Sequence, residues 1–384
     1  GSTGRRAGRE AYMDAFARDL EWTKLQMPLT RRWCEALPRL EGVRLACSMH
    51  LDLKMVPAVE ALLGKGAAVY LATCNPTTVR DEVVEHLRGR GAVAHAWKDM
   101  PADEYASAID KALAWEPTHL CEVGGDLSLA LHARGRETRV KAGLEATGSG
   151  IARLRPLALR YPVFNWDDLP IKERLHNRWL VGLSTWQSFC ERTKLSLHGK
   201  RVLVVGYGLV GQGVADVARA FGGTVAVVEK DPARLLEARY AGWEAGTMMT
   251  PELLARIDVI VTATGVAGVL GAEEVKSLKT GCFLLNVGHV PDEIDVKALG
   301  ARREVIPHVE ETRPHGRPVY LFAGGSMANL TAGWGDSLNA FDVNLATMVA
   351  GLGFICTRGS EGKPGLHPLP RPVWSAVAAA AAGV

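Results

Sequence analysis

The sequence predicts an α/β protein with two doubly wound domains, one inserted into the other, and a short C-terminal tail. Three observations carry this expectation. A strand, a glycine turn, a helix and a second strand follow one another in mid-chain, from Lys200 to Glu229. The N-terminal half alternates apolar strand-like runs with amphipathic helical stretches, the pattern of a second α/β sheet. Almost 200 residues precede the glycine turn in a chain of 384, enough for a domain of their own.

Taken in order, the N-terminal runs are Arg44 to Ser48 then a helix from Met55 to Leu63, Ala68 to Ala72 then Val79 to Arg88, and Ala92 to Trp97 then Tyr105 to Leu113. In the central unit, Arg201 to Val205 is a short β-branched run, and Gly206, Gly208 and Gly211 follow as G-x-G-x-x-G. The next helix, Val210 to Phe221, buries Val214, Val217 and Ala218 at helical spacing. The first glycine permits a tight turn, the second lets the backbone approach a pyrophosphate, and the third lets helix and strand pack closely. The helix N-terminus then offers free N–H groups to phosphate. Glu229 ends the second strand, placed to accept from both ribose hydroxyls and to repel a 2′-phosphate. This is a Rossmann unit for NAD rather than NADP. Further strands are expected at Asp258 to Ala263 and Gly281 to Val287, with closure near Gly333 and one long helix from Leu338 to Phe354. The resulting division is 11–182 for a substrate-binding domain, 183–334 for the Rossmann domain, 335–362 for a return helix and 363–384 for the tail. The Ala-rich tail reads as a surface helix or a disordered end.

Composition excludes several classes of function. At 47% hydrophobic, 23% charged and a net charge of +3, the chain has no basic excess for nucleic acid. Seven cysteines without a C-x-x-C pair indicate neither a zinc site nor a disulfide framework, so no metal is expected and a reducing, cytoplasmic setting fits. No run of about 18 apolar residues suggests a membrane partner, and the opening GSTGRRAGRE lacks the apolar core of a signal peptide.

Several segments together resemble one family. GYGLVGQG, VEKDP, VTATG at Val261 to Gly265 and NVGHVPDEID at Asn286 to Asp295 are similar to the cofactor domain of the S-adenosylhomocysteine hydrolases, the NAD-containing adenosylhomocysteinases. LACSMH ending at His50, TCNPTTVRD from Thr73, HAWKDMPADEY from His95 and VGGDLS at Val123 to Ser128 are similar, in order and spacing, to that family's substrate domain. The resemblance covers roughly residues 15 to 355. It implies a resident NAD that removes hydride from the 3′ carbon of a nucleoside sugar, so that the C4′ proton becomes acidic, the 5′ substituent leaves and water normally adds, after which the reduced cofactor returns the hydride to the sugar. It also implies a homo-oligomer, a dimer or a tetramer.

Carried over residue by residue, the resemblance implies a mixed site. Lys172, in PIKERLHN, matches the first lysine of T-K-S-K-F-D-N, which assists removal of the 3′ hydroxyl proton, and Asn177 matches its asparagine. His50 matches the histidine acting at the 5′ leaving group, and His289 the histidine on the cofactor side. The implied NAD contacts are Thr147, Gly148 and Ser149, the turn residues Gly206, Gly208, Leu209, Val210 and Gly211, then Glu229, Thr262, Thr264, Gly265, Asn286, His289 and Asn329. Other positions depart from the pattern. The aspartate of T-K-S-K-F-D-N becomes His176, counted with the catalytic groups. The second aspartate of D-D-G-G-D becomes Val123. E-E-T-T-T-G becomes LEATGSG, which keeps Glu145 and places Ala146 at the sugar-binding glutamate. Asp52 replaces a threonine, and Asp336 replaces the histidine of G-H-P-S. Glu145, Asp52, Asp336 and Asn329 are the candidate substrate contacts, although Asp52 and Asp336 serve equally well as caps or surface charges. The C-terminal lysine and tyrosine by which the family reaches a neighbouring subunit's NAD have no counterpart in WSAVAAAAAGV.

The reading that follows is an adenosylhomocysteinase-like enzyme with an altered nucleoside substrate, a redox-elimination lyase or hydrolase. Net dehydration of a purine nucleoside to an exocyclic alkene results if water is not added back. Hydrolysis of S-adenosylhomocysteine is the alternative, and an inactive NAD- and nucleoside-binding regulatory protein is the alternative of another class.

Overall fold

The computed structural model describes residues 15–135, 139–290 and 292–384, so the expected domain start at residue 11 and the opening ten residues lie outside it. The chain divides into two compact units, one running to Lys172 and resuming at Leu338–Val384, the other Glu173–Ser337.

The first unit is built on a seven-stranded parallel sheet of β1 (Arg44–Met49), β2 (Ala68–Thr73), β3 (Val93–Ala94), β4 (His119–Glu122), β5 (Ala142–Glu145), β6 (Pro162–Asn165) and β15 (Gly365–Pro368). The order is β15-β6-β5-β4-β1-β2-β3. Such a sheet is covered on both faces, and alternate side chains of one strand enter opposite cores. Leu45, Cys47 and Met49 of β1 pack into one core with Val69 and Leu71 of β2. Ala46 points into the other, with Tyr70 and Ala72. Helices Pro28–Ala36, Val56–Gly64, Asp81–Gly89 and Leu338–Thr357 cover the first face, and Ala102–Ala114, Asp126–Arg134 and Gly148–Leu154 the second.

Helix Leu338–Thr357 has the length and apolarity of a membrane span, yet it is a core helix of this unit. Its buried Asp342 accepts from the backbone of Leu29 and Thr30 at 2.9 and 2.7 Å, which anchors the start of helix Pro28–Ala36.

The second unit has the sheet order β12-β13-β14-β11-β10-β7-β8-β9. Its parallel part is β7 (Arg201–Val205), β8 (Thr224–Val228), β9 (Glu244–Gly246), β10 (Val259–Thr262), β11 (Phe283–Asn286) and β14 (Val319–Phe322). β12 (Arg302–Ile306) and β13 (Val309–Thr312) extend it as antiparallel neighbours. Val202 and Val204 enter one core, Leu203 and Val205 the other. Both units are thus doubly wound, and the Rossmann unit is inserted in the other, as the sequence predicts.

Three differences from the sequence expectations have plain causes. The strand expected over Ala92 to Trp97 shrinks to Val93–Ala94, because it lies at the sheet edge and pairs only with β2. GLHP at 365–368 carries one aliphatic side chain and gives no periodic signal, yet it pairs with β6, Leu366 opposite Val163. The Ala-rich end behind it is the helix Arg371–Ala382.

Candidate functional site

Open α/β sheets bind ligands beyond the C-terminal ends of their strands, where the winding direction reverses. In the first unit the reversal lies between β1 and β4, and His50 and Val123 are the residues at those strand ends or just past them. His50 Nδ1 is 2.8 Å from Thr78 Oγ1, and the Thr78 hydroxyl itself donates to the Asn75 carbonyl at 2.8 Å. The threonine hydrogen is therefore committed, so Nδ1–H donates to Thr78, and any proton His50 exchanges is exchanged at Nε2. Val123 packs against the apolar core. Asp52 caps the turn Leu53–Met55 by accepting from Lys54 N at 3.0 Å, and pairs with Lys54 Nζ at 2.9 Å. Asn75 caps the next turn in the same way, through Thr77 N at 3.0 Å. Burial pushes the neighbouring Cys74 thiol well above its usual range, which keeps it unreactive.

Glu122 and Glu145 stand opposite each other at the ends of β4 and β5, and both are buried. Glu145 Oε1 accepts from Gly124 N at 2.9 Å, Thr147 N at 2.9 Å and Thr147 Oγ1 at 2.8 Å, while Oε2 has no hydrogen-bond partner among the described residues. A side chain at Gly150 would occupy the space of this carboxyl, with a Cβ 2.8 Å from Oε2. Glu145, expected to touch substrate, organises the Gly124 and Thr147 turns through Oε1. Glu122 accepts from Leu127 N at 2.6 Å and from the Ser128 hydroxyl. Burial pushes both carboxyls up, and the charge of Glu145 adds to the effect on Glu122. Two carboxyls placed this way favour a state with one proton between them.

Thr147 also caps helix Gly148–Leu154 through Gly150 N at 3.0 Å, and Ser149 Oγ donates to its hydroxyl at 3.3 Å. Lys172 opens a π-helix, Lys172–Leu180, a distortion frequent at functional sites. Its Nζ donates to the Ala146 carbonyl at 2.7 Å and to Asp167, and stands 5.6 Å from the Trp166 ring centroid.

In the second unit the winding reverses between β7 and β10. Gly206 has φ +96°, and a Cβ there would lie 2.6 Å from the Ala263 carbonyl oxygen, so only glycine brings the two strand ends this close. At Gly208 the nearest atom to an added Cβ is Arg234 Nη1 at 3.7 Å, so the backbone is open on that side. Helix Leu209–Ala220 starts there without a side-chain cap, which leaves its first N–H groups, including those of Val210 and Gly211, for a phosphate. Glu229 accepts from Tyr207 N at 2.7 Å on one oxygen and from Asp231 N at 2.8 Å on the other. Each oxygen keeps a second lone pair for a ribose hydroxyl. These residues fit NAD.

The loop after β10 is held by a residue the sequence reading quoted without assigning. Glu293, wholly buried, accepts from Thr264 N at 3.0 Å, Thr264 Oγ1 at 2.8 Å and Gly265 N at 2.6 Å. Thr262 and Asn286 are also wholly buried and joined at 3.1 Å, and Asn286 folds the following turn through Gly288 N at 2.8 Å and Val290 O at 3.0 Å. These two shape the cofactor loops from beneath. His289 is exposed, its ring against Gly265.

Elsewhere in this unit His176 Nε2 lies 2.6 Å from Asp336 Oδ2, and Nδ1 lies 3.1 Å from Asn177 Oδ1. Buried Asn329 donates to Ser184 Oγ at 3.2 Å, and its Oδ1 has no hydrogen-bond partner among the described residues. A buried amide oxygen left this way is open to a donor from water or from a ligand. Glu293, Asp167 and Glu122 are acids near the site whose roles have no local signal in the sequence. Only their positions are legible there, Glu293 inside NVGHVPDEID, Asp167 just past the strand end at NWDD, and Glu122 ahead of VGGD.

A doubly wound unit with this glycine turn, acid and open helix N-terminus, set within a second α/β unit, defines an NAD-binding enzyme. Two family models match the chain: S-adenosyl-L-homocysteine hydrolase over residues 18–152, and the NAD binding domain of S-adenosyl-L-homocysteine hydrolase over residues 183–335. The chain is 33% identical to the S-inosyl-L-homocysteine hydrolase of Methanopyrus kandleri, over 98% of its own length and 92% of that protein's. It is 35% identical to the adenosylhomocysteinase of Aeropyrum pernix, over 90% and 85% of the two chains. The chain belongs to the S-adenosyl-L-homocysteine hydrolase family. Among solved structures, a dipicolinate synthase chain from Bacillus halodurans shares the fold at TM-score 0.51 and 14% identity, covering 81% of this chain and 99% of that one.

Proposed function

We propose that the protein uses tightly bound NAD to oxidise a sugar hydroxyl of a purine nucleoside transiently, removes the adjacent C–H proton and expels the neighbouring substituent, with net loss of water to an exocyclic alkene. When bound, NAD supplies the hydride acceptor that later returns the hydride. Lys172 has two of its three ammonium hydrogens committed to Ala146 and Asp167. In this reading the third meets the reacting hydroxyl, and Asp167 offers the route by which that proton leaves. Asn177 binds the same sugar, His289 serves the C–H proton, and His50, with Nδ1–H held by Thr78 and a second hydrogen on Nε2, delivers that second proton to the leaving group.

The observation that carries elimination without rehydration is Val123. Where the family pattern has a carboxylate beside the β1/β4 reversal, this chain has an apolar side chain packed against the core. Position 123 therefore offers no carboxylate to hold a water molecule, so return of water is disfavoured. The test is incubation of the NAD-loaded protein with a panel of purine nucleosides under mass detection. A product lacking the elements of water supports the proposal. A ketone accumulating with equivalent reduced cofactor refutes it.

A second reading is hydrolysis of a nucleoside thioether, favoured by the relatives' activities, of which the Methanopyrus kandleri protein acts on S-inosyl-L-homocysteine. Release of homocysteine thiol from S-adenosyl- or S-inosylhomocysteine, with no water loss from any nucleoside, would establish it.

A further inference from the structure

We infer that His176 is a positioning residue rather than a proton carrier, and that with Asp336 it turns the amide hydrogens of Asn177 toward an acceptor oxygen of the substrate sugar. The inference deepens the nucleoside-oxidising reading above and rests on it for the identity of the substrate.

The geometry has two parts. His176 Nε2 and Asp336 Oδ2 are 2.6 Å apart, with side-chain exposures of 17% and 5%. His176 Nδ1 faces Asn177 Oδ1 at 3.1 Å. Both ring nitrogens therefore face oxygen acceptors, and a ring with a hydrogen on each nitrogen donates to both while neutralising the buried carboxylate. Such a ring has no lone pair with which to take a proton from a substrate. Asn177, its carbonyl held by His176, is left with two N–H donors to offer.

The sequence shows what has changed. The chain reads KERLHN where the family pattern ends in F-D-N, and GDS where the pattern reads G-H-P-S. Taken singly, one change loses a carboxylate and the other gains one. The contact makes them a single change in which the carboxylate and the imidazole trade places and the neutral pair survives. One half alone would set two carboxylates against each other and the other half two imidazoles, so neither leaves the buried charge compensated by its opposite as in the pair seen here. What the trade alters is the group adjoining Asn177. A carboxylate there takes the amide N–H and leaves the carbonyl facing out, whereas the imidazole takes the carbonyl and leaves the N–H groups facing out. Asn177 thus becomes a donor to an oxygen lone pair, including one on an oxygen gaining negative charge as its proton leaves.

The experiment compares His176→Asp, Asp336→His, the reciprocal double variant and Asp336→Asn, all in the NAD-loaded protein. Each single exchange should lower kcat on the order of 10–100-fold, and the double variant should recover at least tenfold over the worse single. Asp336→Asn, isosteric but uncharged, should fall between wild type and Asp336→His. Losses that multiply in the double variant overturn the inference. If the wild type converts no nucleoside, the functional reading fails and the pair is judged without turnover. Nitrogen-15 NMR of the histidine side chains, assigned by the signals lost in His176→Asn, should show a hydrogen on both nitrogens of His176. A single protonated nitrogen there refutes the positioning role.

Discussion

Glu293 sets how firmly the loop after β10 is held. Its carboxylate takes three donors in a wholly buried position, at 3.0, 2.8 and 2.6 Å. Glu293→Gln preserves the volume but turns one acceptor oxygen into an amide that meets a donor. A hydrogen bond to a charged group contributes about 1.5–3 kcal/mol, and leaving a buried donor unpaired costs about as much again, so a loss of about 2–4 kcal/mol is expected. In a unit the size of Glu173–Ser337, each kcal/mol shifts the melting temperature by about 2–4 °C, giving a fall of about 5–15 °C. The effect should reach the cofactor, because Ala263, next to Thr264, crowds Gly206 at the dinucleotide turn. NAD affinity should drop by about 1–2 kcal/mol, roughly five- to thirtyfold. Calorimetric melting with and without NAD, together with NAD titration, measures both. A melting temperature within about 2 °C of wild type and unchanged NAD affinity would show that the loop is fixed by other contacts.

NAD should co-purify with the wild type, and Glu229→Ala should weaken its binding by roughly 1–3 kcal/mol in a calorimetric titration; protein that neither retains nor binds NAD contradicts the assignment. Lys172→Ala should abolish both the transient nicotinamide absorbance and exchange of the substrate C–H into deuterium oxide, whereas His50→Ala should keep partial exchange while losing product; full activity in Lys172→Ala would mean that the lysine has been misassigned. Val123→Asp, by returning a carboxylate beside His50, should raise the fraction of rehydrated product seen by mass spectrometry, and an unchanged product ratio argues against the role given to that position. Glu122 and Glu145 are acids whose folded values lie above their unfolded ones. Their contribution to stability is therefore complete at low pH and is lost as pH rises from the ordinary carboxylate range into the neutral range. Glu122→Gln should flatten that decline in denaturant titrations, and a variant with the wild-type slope would place the shared proton elsewhere.

The fold was legible wherever a periodic apolar run coincided with a turn. β7, the glycine turn, β8 and the acid after it could be read directly, because each position is constrained by backbone geometry that only particular residues satisfy. β15 could not, because an edge strand of four residues needs only one apolar contact with β6. The candidate site was legible by position and much less by role. Glu145, Thr262 and Asn286 were recognisable residues in recognisable motifs, but whether a carboxylate or amide faces a ligand or a backbone turn depends on neighbours brought in from other strands. The link between His176 and Asp336 spans 160 residues of sequence and had no local signal.

The return of the chain to β15 and helix Arg371–Ala382 bears on the order in which the molecule can be assembled. The Glu173–Ser337 unit is contiguous and can close as soon as it has left the ribosome. The other sheet has to wait for its last strand, and helix Leu338–Thr357, which fills its core, is made only after the whole insertion. The face that this helix covers therefore spends the synthesis of some 165 residues with only its N-terminal helices in place, a period of roughly ten to thirty seconds at ordinary elongation rates. During that interval β4 and β5, the strands against which helix Leu338–Thr357 packs, lack that cover, which makes the nascent N-terminal half, rather than the NAD-binding unit, the last part of this protein to close its core.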